Sequence, residues 1–174
     1  ATKPAEIQNS YAVSPDGNML AMRIAPGSGG ELWLQDLTRG VLSRFTFRGA
    51  LGNPIWSPDG TRIVFSTQDV GGYSFDIFQK LATGSEKEES LFHGDRLVLA
   101  TDWSTDGRFL AYTEQAAQTA LDLWILPLTG ERKPIVYLQT PFNEQDGQFL
   151  PDAADGQRWM AYQSNESGRD QIHL

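Results

Sequence analysis

A four-residue turn recurs along the chain as Ser14-Pro15-Asp16-Gly17, Ser57-Pro58-Asp59-Gly60 and Ser104-Thr105-Asp106-Gly107, and this repetition limits the possible folds more than any other feature. A looser fourth copy runs from Pro151-Asp152 to Asp155-Gly156. Counted between Asp16, Asp59, Asp106 and Asp155, the copies stand 43, 47 and 49 residues apart. A spacing of roughly 40 to 50 residues fits a unit of four short strands, too small to bury its own faces and obliged to lean on the next unit. Four such units fill the chain, and the strand-like content of each disfavours a solenoid of helix pairs.

The turn residues explain themselves. Proline presets φ near the value a turn needs, the aspartate can accept from backbone nearby, and glycine takes the positive φ that closes a hairpin. Before each turn lies a candidate inner strand (Tyr11 to Val13, Pro54 to Trp56, Ala100 to Trp103, Gln148 to Leu150). After it comes an apolar run, Met19 to Met22, Ile63 to Phe65, Phe109 to Tyr112 and Trp159 to Tyr162, without the clean alternation of a half-exposed strand. Such runs predict strands covered on both faces. An acidic, aliphatic, aromatic triplet then marks a third strand, as Glu31-Leu32-Trp33, Asp76-Ile77-Phe78 and Asp122-Leu123-Trp124, with Gln171-Ile172-His173 in the fourth unit. A polar turn and a fourth strand follow in three units (Leu42 to Phe47, Glu89 to Phe92, Pro134 to Leu138).

The prediction is an all-β protein, a single β-propeller or partial propeller spanning 1–174, with blades near 10–48, 50–94, 98–139 and 145–174. The fourth blade is incomplete, because no outer strand follows its third. Either Ala5 to Gln8 supply that strand from the other end, or the chain is a piece of something larger; a bare edge would invite a second chain, making a homodimer through this blade one expected partner state.

Composition narrows the function classes. The net charge is −8, with 14 Lys and Arg against 22 Asp and Glu, and no basic patch offsets it, so nucleic acid is not an expected partner. There is no cysteine, which excludes disulfides and thiolate metal sites. The longest nearly apolar stretch, Leu121 to Leu128, is far short of the ~20 residues that span a bilayer, so direct membrane insertion is not expected. Ala1 to Gln8 show no basic segment followed by an apolar one.

No residue set reads as catalytic, cofactor-binding or metal-binding. The turn aspartates Asp16, Asp59, Asp106 and Asp155 each bring too few oxygens for a calcium loop and read as turn formers. Asp95 and Asp102 could face a central channel, with structural hydrogen bonding the stronger reading. His93 and His173 lack a nucleophile or metal motif; His93 reads as a solvated loop residue after an outer strand and His173 as the fourth unit's substitute for an aromatic. Trp33, Phe78 and Trp124 read as core rather than a stacking surface. Glu86 to Glu89 read as a solvated loop, and Gly27 to Gly30 and Gly71-Gly72 as loop tips with no helix behind them.

The chain resembles the TolB-like, WD-like propeller repeats, whose blades carry a Ser-Pro-Asp-Gly turn and an Asp-Ile-Trp type third strand, over about Tyr11 to Leu174. More narrowly, Arg44 to Phe47, Asp102 to Ser104, Asp122 to Trp124, Arg132 to Ile135 and Ser164 to Asp170 resemble the C-terminal propellers of bacterial, notably acidobacterial, serine/threonine protein kinases. That likeness implies a sensor or scaffold domain, extracytoplasmic or periplasmic, binding a protein or small molecule. Kinase activity is not implied, because a Gly-rich phosphate loop and a His-Arg-Asp loop are missing from the chain. Two other functions stay open: a propeller gating a prolyl-oligopeptidase-like hydrolase, and a self-associating structural propeller.

Overall fold

The computed structural model describes residues 7–24, 30–47, 49–69, 74–116, 120–151 and 158–174. Fifteen strands form four antiparallel sheets, each in simple chain order, and no helix is present among the described residues. The first sheet holds β1 (Ile7–Val13), β2 (Met19–Ile24), β3 (Glu31–Asp36) and β4 (Leu42–Arg44). The second holds β5 (Ala50–Trp56), β6 (Arg62–Gln68), β7 (Phe75–Leu81) and β8 (Glu89–Gly94). The third holds β9 (Val98–Trp103), β10 (Phe109–Gln115), β11 (Leu121–Pro127) and β12 (Ile135–Leu138). The fourth has three strands, β13 (Glu144–Phe149), β14 (Met160–Ser164) and β15 (Gln171–His173). These are propeller blades, the last lacking an outer strand.

The N-terminal closure expected from sequence does not occur at Ile7 and Gln8. They belong to β1, where Ile7 pairs with Ile24 in the first blade; Ala5 and Glu6 lie outside the described residues. Those two residues are used up in extending the inner strand across a bulge, a more local partner than a blade at the far end of the arc.

Each of the three tight turns is one hydrogen-bonded clasp centred on serine. The Ser57 hydroxyl donates to the Asp59 carboxylate at 2.6 Å and accepts from the Arg62 backbone N–H at 2.9 Å, while the Ser57 N–H donates to the Arg62 carbonyl. Ser14 repeats this with Asp16 and Met19, and Ser104 with Asp106 and Phe109. Gly17, Gly60 and Gly107 sit at φ of 74°, 70° and 74°, where a Cβ would be strained. The fourth turn, at Asp152 to Gly156, lies outside the described residues.

Blades stack through two side-chain columns that register makes equivalent. One column faces the preceding blade: Trp56, Ile63, Phe65 and Phe78 of the second blade pack on Ala21, Leu32, Leu34 and Phe45 of the first. At the next seam Trp103, Leu110, Tyr112 and Trp124 meet Ile55, Val64, Ile77 and Leu91. At the third, Phe149 and Met160 meet Ala111 and Ile125. Double coverage accounts for the buried runs Ile63–Thr67 in β6 and Leu110–Thr113 in β10. In β2 and β14, the end blades, burial is patchier because only one face has a neighbour.

Candidate functional site

The inner strands carry the backbone distortions. β1, β5, β9 and β13 each shift register against their second strands, β13 between Gln145 and Gln148. Two of these bulges have left-handed backbone, at Gly52 (φ 63°) and Asp146 (φ 55°). Asp146 is exposed and is not a glycine, so its backbone sits in a conformation that costs of order 1 kcal/mol, offset by the strand pairing on either side of the bulge. Bulges of this kind re-aim side chains. Here they border a groove of about 580 Å³, lined by Gly52, Leu99, Asp146 and Gln148 of the inner strands and by Tyr162 of β14 and Ile172 of β15 among others.

The inner strands are held rigidly beneath that groove. The Ser10 hydroxyl donates to the Gly52 carbonyl, the Trp56 indole to the Ala12 carbonyl, and the Thr101 hydroxyl to the Gly147 carbonyl, at 2.6, 3.0 and 2.8 Å. Between the second and third blades, the Ala100 N–H donates to the Ser66 hydroxyl. Asp102 faces the fourth blade rather than the channel, and accepts from the Phe149 N–H at 2.7 Å. Burial pushes its carboxyl above the ordinary range, against the pull of that bond. The structure therefore gives Asp102 a seam-stitching hydrogen bond. Asp95 is exposed and sits apart, between β8 and β9.

At the turn end, equivalent crevices between blades differ in character. Between the second and third blades the lining is polar: Arg62, Gln79 and Arg132 are there, with Gln79 donating to Glu89 and Arg132 paired to Glu89 at 2.8 Å. Between the third and fourth, Phe109, Ile125, Tyr137, Phe149, Trp159 and Met160 enclose about 260 Å³. Arg158 and Arg108 both bond Asp106 at its mouth. Burial acts to raise the Asp106 carboxyl, but Ser104, Arg108 and Arg158 outweigh it and hold it well below the usual range. Asp16 and Asp59 are also held low, by Ser14 with Asn18 and by Ser57 with Thr61. Every turn carboxylate in the described residues is thus occupied by its own clasp. Asp155 lies outside them, as do Gly27 to Gly29 and Gly71-Gly72.

His93 corrects the expectation of a loop residue. It lies within β8, opposite Asp76 in the ladder, and its Nδ1 donates to the Asp76 carboxylate at 2.7 Å, which raises the imidazole pKa. The acid of the third-strand triplet has the same task in each complete blade: Glu31 pairs with Arg44 of β4, Asp76 with His93, and Asp122 accepts from Gln139 just past β12. It ties the third strand to the outer one. His173 occupies the triplet's aromatic position and stacks on Tyr162 at 5.4 Å, as Trp124 stacks on Tyr112 and Phe78 on Phe65. Phe78, Trp124 and His173 are half-buried, and the Phe65 and Tyr112 rings that the first two stack on are fully buried. Of the run Glu86 to Glu89, Glu89 is in strand β8 and bridges to Arg132 of the next blade, a link the sequence did not reveal. Among the described residues, no group of three or more His, Cys, Asp or Glu is placed to hold a metal ion.

Groove, rigid bulged strands and clasped turns define a β-propeller arc. Solved structures share this fold. TolB from Agrobacterium tumefaciens superposes with a TM-score of 0.75 at 21% identity, covering 94% of this chain and 56% of that one. TolB from Acinetobacter baumannii gives 0.71 at 21%, covering 97% and 43%. A prolyl endopeptidase gives 0.67 at 17%, covering 94% and 26%. The chain thus spans about half the length of the TolB structures it resembles. No family model and no curated protein matches it in sequence.

Proposed function

We propose that the chain is a non-catalytic recognition propeller, binding a protein segment or small ligand along its inner-strand groove. The observation that carries this reading is Asp146: an exposed carboxylate on a left-handed bulge, beside Gln148, on strands immobilised from below. Polar side chains fixed on rigid backbone recognise partners at low entropic cost. The kinase-type motifs around Arg44, Asp102, Arg132 and Ser164 support placing the module in a larger signalling protein, in its extracytoplasmic or periplasmic part.

Selection from a displayed random-peptide library tests the reading. Wild-type chain is expected to enrich a sequence consensus that the Asp146→Lys, Gln148→Lys variant does not. If both enrich the same peptides, the groove is not the recognition site, and if neither enriches any, it does not take a protein segment.

A second reading, the gate of a hydrolase, is favoured by the likeness to the prolyl endopeptidase propeller. A Gly-x-Ser-x-Gly hydrolase region encoded on the same polypeptide would support it, and a kinase region with one membrane span would exclude it.

A further inference from the structure

The crevice at the turn end between the second and third blades, both of them complete, holds about 380 Å³, within the ~300 to 1,000 Å³ of small-molecule sites. Its wall departs from the repeat. The residue whose carbonyl accepts from the clasp serine's N–H is Met19 in the first blade and Phe109 in the third, but Arg62 in the second. Beside it, the third strand places Leu34 and Ile125 where the second blade has Gln79. Met19 and Leu34 share the apolar cluster of Trp56, and Phe109 and Ile125 that of Met160, so apolar side chains suit both positions. A half-buried guanidinium there gives up hydration and needs a partner in return. Within the chain it has none: the Arg62 N–H and carbonyl are taken by Ser57, and its side chain donates no hydrogen bond among the described residues.

Arg132 enters the same crevice from the third blade, on a left-handed backbone (φ 48°) that a residue other than glycine adopts only when its surroundings hold it. Its Nη1 is spent on Glu89, at 2.8 Å, and the rest of the fork is unspent among the described residues. Leu91, Trp103 and Leu128 supply an apolar floor from a single packed cluster. Counting the charged residues of the crevice and their direct ion partners, four guanidinium groups (Arg62, Arg132, Arg108 and Arg158) face three carboxylates (Glu89, Asp59 and Asp106), which leaves one positive charge. We propose that this crevice binds a small organic monocarboxylate, its oxygens taken by Arg62 and Arg132 and its apolar body laid against Trp103 and Leu91. Guanidinium forks match a carboxylate in geometry, and a single negative charge balances the site where a phosphate dianion would overshoot it beside Glu89 and Asp59. The crevice shares no lining residue with the inner-strand groove, so this inference is independent of what the groove binds.

Titration of the nitrogen-15-labelled full chain with benzoate tests it, read at the Arg62 Nε–H and Trp103 indole N–H resonances. Benzoate should shift both saturably, at concentrations about tenfold or more below those required by benzamide, its uncharged isostere, by acetate, which lacks the ring, or by inorganic phosphate. Arg62→Met installs the residue native to the equivalent position of the first blade, and should weaken benzoate about tenfold with unchanged far-UV circular dichroism. Arg132→Gly suits the left-handed backbone while removing the second guanidinium, and should weaken it likewise. Shifts that do not saturate, benzamide or phosphate matching benzoate, or benzoate binding that survives both substitutions would overturn the assignment.

Discussion

The third and fourth blades are built from the same repeat, and their difference isolates what a neighbour contributes. In the third, Leu110, Tyr112, Leu123 and Leu126 are fully buried, sandwiched between the second blade and the fourth. In the fourth, Met160 is buried against the third blade, whereas Ile172 faces outward and Trp159 is half exposed. The aromatic stack persists in both, as Tyr112–Trp124 and Tyr162–His173, but a histidine suffices where only one side is covered. Sequence pattern sets the blade, and position in the arc sets how much each residue is worth.

The largest effect that would break this comparison lies at Leu123 and Ile172. Leu123→Ala should cost about 2 to 5 kcal/mol, and Ile172→Ala no more than about 0.5 kcal/mol; urea unfolding measures both. Equal costs would show that burial in the seam is not what separates the blades. A smaller effect, of opposite sign, is expected at Tyr112, whose buried hydroxyl has no hydrogen-bond partner among the described residues. Tyr112→Phe should raise stability by about 1 kcal/mol by removing a desolvated group, while Tyr162→Phe, only partly buried, changes little.

The smallest expected effect concerns acid. Asp16, Asp59 and Asp106 have carboxyls held below their unfolded values, so their clasps contribute fully above about pH 4, and the contribution fades as pH falls towards the folded values. Thermal midpoints should decline below about pH 4. Asp106→Asn should flatten part of that decline, and an unchanged acid limb would remove the turn carboxylates from the account.

The fold was legible because its signals are local. A Ser-Pro-Asp-Gly clasp closes within six residues, and the third-strand acid meets its outer-strand partner inside the same blade. The groove and seams were not, because their bonds cross blades: Asp102 to Phe149, Glu89 to Arg132, and Lys80, whose ammonium donates to the Phe45 carbonyl and lies over the Phe45 ring. Nothing in the residue types at those positions announces partners 35 to 47 residues away. Asp146 was missed for a different reason: a left-handed aspartate looks in sequence like any polar strand residue, and the looser fourth copy of the turn motif disguised where its strand ran. His93 was misplaced because a strand-end histidine beside glycine resembles a loop.

The clasped turn has a consequence for how such proteins change size. Since each of the first three blades closes its own hairpin and neighbouring blades meet through the same kind of face, tandem duplication or deletion of one such unit leaves the ends of the arc chemically as they were. Blade number is then set by curvature, the angle at which one sheet leans on the next, and not by any side chain that recognises its place in the count.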